Sequence, residues 1–200
     1  MTKILDLVRA HLVGHFETQP DSASVTFLGA EPIEVLRFRS TASELVHYVS
    51  LGCSRYPMTA PSELIADPHR GPRAEVVLSL RNPEPATGLA RSLAILAATP
   101  AVDGVVLAAD ILIDLGAPLW TRPSGRVPFS AVLLGRPDIP DLPLDPPREP
   151  VQFLSATPIT ATEAAWVRLK GAGGGSAMRQ VWQNDGVDVL DPNRPAAQPH

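Results

Sequence analysis

Hydrophobic positions repeat along this chain with two different periods, and the change of period marks its elements. Residues 2–17 place Ile4, Leu5, Val8, Leu12 and Phe16 at helical spacing, with Asp6, Arg9 and Glu17 off the stripe. That pattern predicts an amphipathic helix, ended by Gln19–Ser22. Val25–Leu28 reads as a short strand stopped by Gly29. Ile33–Arg39 alternates with period two, Ile33, Val35 and Arg37 against Leu36 and Phe38, as a mostly buried strand does. Leu45–Leu51 reads as its hairpin partner, closed by Gly52. Residues 53–73 carry prolines and glycines and no period, so a long irregular loop is expected. Ala74–Arg81 alternates again as a third strand.

The second half mixes the two periods. Residues 86–99 form a helical stripe through Leu89, Leu93 and Leu96, with Thr87 as the expected N-cap and Pro100 just past the end. Val105–Ala108 and Leu112–Leu115 read as short extended pieces, and Ala131–Leu134 as a strand. Residues 136–150, rich in proline and aspartate, should run extended over the surface. Val151–Thr157 is the next strand. Thr160-x-x-Glu163 then matches a capping box opening a helix to about Lys170. Gly171–Gly175 breaks that helix, Ala177–Asn184 restarts one, and Val187–Leu190 reads as a last short strand. Residues 191–200 are expected to be a disordered tail behind a single domain of residues 1–190. Strands in runs, then strands mixed with helices, predict an α+β fold: a mixed, mainly antiparallel sheet with flanking helices.

Composition narrows the class. Of the 200 residues 44% are hydrophobic, which argues for a folded core and against disorder. The 22 prolines, about twice the usual share of roughly 5%, fall between elements and punctuate them. A net charge of −4 gives no electrostatic case for nucleic acid. No run approaches the ~18–20 apolar residues of a membrane span. The N-terminus is interrupted by Asp6, Arg9 and His11, unlike a signal peptide. With one cysteine, Cys53, no intrachain disulfide forms. These features predict a cytoplasmic protein.

Candidate chemistries are sparse. His11 and His15 stand one helical turn apart but lack the zincin glutamate and a third ligand, so no metal is expected. Gly171–Ser176 lacks the Gly-Lys-Ser/Thr ending of a phosphate loop. Asp138, Asp141 and Asp145 lack the glycine and closing glutamate of a calcium loop. Ser50, Ser54 and Ser130 sit in no nucleophile elbow. Cys53, six residues after His47, leaves open a thiolate nucleophile with a histidine base, against a buried thiol and a structural histidine. Arg55-Tyr56-Pro57-Met58 has the residue types of an interface loop. A purely structural or oligomerisation module remains the third alternative.

One ordered set of residues resembles a known family. His47-Tyr48-Val49-Ser50-x-Gly52, then Gly71-x-x-x-Glu75-x-x-Leu78-x-Leu80, resembles the core signature of the suppressor of fused domain. The LARSLAIL helix, the strand VQFLSAT and Thr160-x-x-Glu163 follow in the family's order, over roughly Val25 to Leu190. The resemblance implies a non-enzymatic, cofactor-free binding module of the N-terminal type. Animal members grip an extended peptide of a transcription factor, and single-domain bacterial members are proposed as immunity proteins against a toxin. The partner is then a protein met at a sheet edge and the adjacent loop. Partner-contacting residues are expected at Tyr48, Arg55, Tyr56, Pro57, Met58, His69 and Arg73.

Overall fold

In the computed structural model, residues 3–27, 31–39, 43–59, 67–81 and 83–198 are described. A seven-stranded sheet has the order β1-β2-β3-β4-β9-β8-β5. Its first half is an antiparallel run: β1 (Asp21–Val25), β2 (Ile33–Arg39), β3 (Leu45–Leu51) and β4 (Arg73–Arg81). β9 (Val151–Thr160) lies parallel to β4, and β8 (Phe129–Gly135) and β5 (Leu112–Asp114) extend the sheet antiparallel beyond it. The expected mixed, mainly antiparallel sheet with flanking helices is therefore what forms. A small hairpin, β6 (Thr121–Arg122) with β7 (Gly125–Arg126), stands apart from it.

Alternation sorts each strand's side chains onto two faces. On one face Val35, Val76, Leu78, Leu80, Val132, Leu134 and Leu154 meet Leu89, Leu93 and Leu96 of α2 (Leu89–Asp103). On the other, Leu36, Phe38, Val49, Val77 and Phe153 meet Val8 and Leu12 of α1 (Ile4–Phe16). Further along that face, Ala131, Leu133 and Ile159 pack under α3 (Ala161–Lys170) and α4 (Gly174–Asn184). The capping box opening α3 is complete: Thr160 Oγ1 accepts from the Glu163 N–H and Glu163 accepts from the Thr160 N–H.

Several expectations are corrected. The first strand is Asp21–Val25 rather than Val25–Leu28; its polar DSASV sequence is extended because β2 pairs with it residue for residue. Leu28 lies outside the described residues. Thr87 does not cap α2; it forms a bridge with Thr121, and the cap position is Gly88. Nor does Pro100 end the helix. Proline has no N–H for the Leu96 carbonyl, but the Thr99 hydroxyl donates to that carbonyl at 2.8 Å, so α2 continues to Asp103. Val105–Ala108 and Val187–Leu190 are not strands. The proline-rich segment is more than a surface linker: Ile139 is buried beneath α1, and Pro140 O binds His11 Nε2 at 2.8 Å. The terminal stretch expected to be disordered is held through residue 197, with Arg194 and Ala197 buried.

Candidate functional site

β4 continues past the last paired residue of β3, and its first residues reach the turn that β3 runs into. That turn is a short 3-10 helix, Cys53–Arg55. Such a turn leaves backbone N–H and C=O groups without regular partners, and burial makes each expensive unless bonded. β4 supplies both kinds of partner. Glu75, wholly buried, accepts from Gly52 N at 2.9 Å, Ser54 N at 3.0 Å, Ser54 Oγ at 2.6 Å and Ser50 Oγ at 2.5 Å. Arg73, also buried, donates from Nη1 to the Ser54 and Arg55 carbonyls, both at 2.9 Å. Burial pushes the Glu75 carboxyl above its usual value, against the pull of the four hydrogen bonds.

Two glycines complete this corner. Gly52 has φ +152°, and a Cβ there would sit 3.3 Å from the Ile33 Cα. Gly71 has φ +127°, with Pro57 3.1 Å from where its Cβ would be. Neither position suits a side chain. The Met58 N–H donates to Pro72 O at 2.8 Å, so residues 52–58 are fastened along the start of β4.

Two grooves open on the α2 face of the sheet, and the fastened residues 52–58 line one of them. The first, about 740 Å³, lies by the N-terminus of α2 over β1–β3. Ala23, Val35 and Tyr48 floor it, Arg37 and Arg39 stand in it, and Ala86–Thr87 form a wall. Arg37 is held by Asp21, its Nη2 at 2.7 Å from the carboxylate, which lowers the Asp21 pKa. The second groove, about 610 Å³, lies by the C-terminus of α2. It is lined by Ile33, Cys53, Pro57 and Ala97–Ala98, with Tyr56 and Val102 exposed at the rim, 60% and 65%. Arg55 and the Tyr56 hydroxyl both bond the Glu31 carboxylate there. Between the grooves runs β1, an edge strand exposed at every residue but Val25. Its Asp21 end lines the first groove, and its Val25 end pairs with Ile33 of the second.

The residues expected to contact a partner therefore divide. Tyr48 is in the first groove; Arg55, Tyr56 and Pro57 line the second. Met58 lines the second groove as well, and Arg73 lies outside both groove linings. Both are buried, Arg73 bonding the turn and Met58 Sδ accepting from Leu107 N at 3.3 Å. His69 is exposed on a turn held by Asp67, whose Oδ1 accepts from the His69 and Arg70 N–H groups. Asp21, Arg37, Arg39 and Glu31 also line the grooves and lie outside the expected set. The one legible signal was Arg37, a charge on the same side of its strand as Ile33 and Val35.

The histidine and cysteine candidates do not assemble. His47 stacks on Phe16 beneath α1 and bonds Ser79 Oγ at 2.8 Å, whereas Cys53 packs into the α2-side cluster. Burial, and then the nearby Glu75 charge, push the Cys53 thiol well above its ordinary value, against the direction a thiolate nucleophile needs. His11 stacks on Phe153 and His15 meets the edge of Phe16. Among the described residues no group of three or more His, Cys, Asp or Glu side chains is placed to hold a metal, and no helix is long and apolar enough to cross a membrane.

Comparison with known proteins agrees with this architecture. The family model described as suppressor of fused protein (SUFU) matches residues 29–195. No curated protein sequence matches the chain. Among solved structures, the Sufu-Fu complex crystal structure superposes with a TM-score of 0.64 at 20% identity, covering 96% of this chain and 91% of that one. The crystal structure of Drosophila Suppressor of Fused superposes with a TM-score of 0.61 at 18% identity, covering 97% of this chain and 51% of that one. This chain thus spans about half the length of the Drosophila chain. At such identities the structural likeness is one of fold.

Proposed function

The chain belongs to the suppressor of fused family, and we propose that it is a protein-binding regulatory domain that acts by capture rather than catalysis. The observation that carries this reading is the open β1 edge between two grooves. An edge strand offers a row of unpaired backbone groups, and natural edges are usually blunted by Lys, Pro or a bulge. β1 has none of these within its five residues. An extended partner segment added there gains backbone hydrogen bonds, and its side chains find Tyr48 and Arg39 at one end and the Tyr56 rim at the other. The sheet edge and the loop after β3 then work as one surface.

Family membership and the structural likeness to the Sufu-Fu complex support a protein as the partner. Sequestration of a regulatory protein, or neutralisation of a toxin as an immunity protein, is the finer form of this proposal. The test is affinity capture from native lysate with the wild-type chain, identification of what binds, and repetition with Ala23→Lys and Tyr56→Ala. Both residues are exposed, so the fold should survive. A bound protein depleted at least about tenfold by Ala23→Lys is expected. No bound protein, or capture indifferent to both changes, would refute the surface.

A further inference from the structure

Away from the grooves, the terminal segment makes an interaction that packing alone does not require. Glu163 is fully buried at the start of α3. Its Oε1 accepts from Arg194 Nη1 at 2.7 Å, Trp182 Nε1 at 3.0 Å and Ala197 N at 3.1 Å. Its Oε2 accepts from Arg194 Nη2 at 3.1 Å, Thr160 N at 2.8 Å and Thr160 Oγ1 at 3.0 Å. Arg194 Nη2 also donates to Pro158 O at 2.8 Å. The guanidinium carbon lies 5.1 Å from the Phe129 ring centroid and 5.3 Å from that of Trp182. The Glu163 carboxyl is held below its usual value, burial being outweighed by Arg194 and the other donors.

The walls and the occupant come from different kinds of structure. Phe129 is on β8, Pro158 on β9, Glu163 on α3 and Trp182 on α4, all regular elements. Residues 191–198 have no helix or strand. They lie on the domain as a docked peptide does, anchored by one side chain, by the Ala197 N–H and by an Arg122–Asn193 bond. A carboxylate meeting both terminal nitrogens, a carbonyl and two aromatic rings select a planar guanidinium. An ammonium cannot span the two carboxylate oxygens in that way.

We propose that the cage of Phe129, Pro158, Glu163 and Trp182 is an arginine-recognition site, filled in cis by Arg194 and able to take an arginine-bearing peptide in trans. This does not rest on the β1 surface, and each can fail alone. The test uses the full chain with Arg194→Ala and two probes, N-acetyl-arginine amide and N-acetyl-lysine amide. The arginine probe should raise the melting temperature of the variant saturably, by roughly 3 °C at about ten times its dissociation constant, and change tryptophan fluorescence. The lysine probe should do neither, and the wild type, whose cage is occupied, should respond to neither. If Arg194→Ala does not fold alone, refolding in the arginine probe but not the lysine probe gives the same support. No saturable response, equal response to both probes, or failure to refold in either would overturn the proposal.

Discussion

Glu75 is the residue on which the architecture of the second groove depends, and its replacement has a calculable consequence. Glu75→Ala removes the acceptor from two hydroxyls and two backbone N–H groups at once. The hydroxyls of Ser50 and Ser54 can rotate toward other acceptors. The Gly52 and Ser54 N–H groups cannot, and an unsatisfied buried donor costs about 1–3 kcal/mol. Two of them give about 2–6 kcal/mol, offset in part because burial already disfavours the ionised carboxyl. The expected loss is about 3–4 kcal/mol, a large fraction of the ~5–15 kcal/mol that stabilises a domain. Glu75→Gln should behave differently. Its carbonyl oxygen keeps the three bonds made to Oε1, and its NH2 can donate to the Ser50 hydroxyl as a protonated acid would, so the loss should stay under about 1 kcal/mol. Urea unfolding of the three proteins measures both. Equal losses for Ala and Gln, or a loss below about 1 kcal/mol for Ala, would refute the reasoning. The pH dependence supplies a signed check. Because the Glu75 carboxyl is raised above its ordinary value of 4.5, its contribution is fully present below that pH and is lost as pH rises through the folded-state value. The stability of Glu75→Gln relative to wild type should therefore improve as pH is raised above 4.5.

Other perturbations test other parts. His47 is depressed below its ordinary 6.5 by burial and then by His15, so the stability it contributes is present above 6.5 and lost as pH falls through the folded-state value. Melting temperature against pH should show that fall, and His47→Gln should flatten it. Thr99→Val leaves the Leu96 carbonyl beside Pro100 without a donor and should cost about 1 kcal/mol by urea unfolding. Adding Pro100→Ala restores an N–H at that point, so the double variant should recover most of the loss, whereas additive losses would show that the hydroxyl does not substitute for the missing bond. Cys53 in the folded chain should be alkylated at least about tenfold more slowly than a peptide thiol near pH 8, given its raised pKa. A peptide-like rate would revive the nucleophile reading.

The elements legible in the sequence were those whose pattern reflects burial on both faces. Ile33–Arg39 and Leu45–Leu51 have the bounds their alternation predicts; in the former Ile33 and Val35 fill the α2-side core, and Leu36 and Phe38 the α1-side core. Thr160-x-x-Glu163 was legible because a capping box is local. β1 was misplaced for the opposite reason: DSASV has no alternation, and only β2 makes it a strand. Arg194 could not be read at all, since its partner stands 31 positions earlier and nothing in the sequence near residue 194 reports it. Of the expected contact residues, Tyr56 is exposed, whereas Arg73 and Met58 are buried. Composition alone does not separate an interface arginine from one that bonds the backbone of its own chain.

The residues that carry the family resemblance are, in this fold, largely committed to internal bonds. Ser50, Gly52 and Glu75 close the turn after β3, and Gly71 fits under Pro57. A side chain bonded in this way cannot also meet a partner, so what the signature specifies is a position: it sets where Arg55, Tyr56 and Pro57 stand relative to β1. On the proposed binding surface, Ala23, Arg39 and Tyr56 are all exposed. Substitutions at such places usually change stability by no more than about 0.5 kcal/mol. The two sets are thus under separate physical constraint, and partner choice can change while the corner persists. A match to a solved fold over 96% of the chain at only 20% identity is what that separation permits. It also means that the signature identifies the scaffold, whereas on the proposed reading the partner is set by the exposed residues around β1.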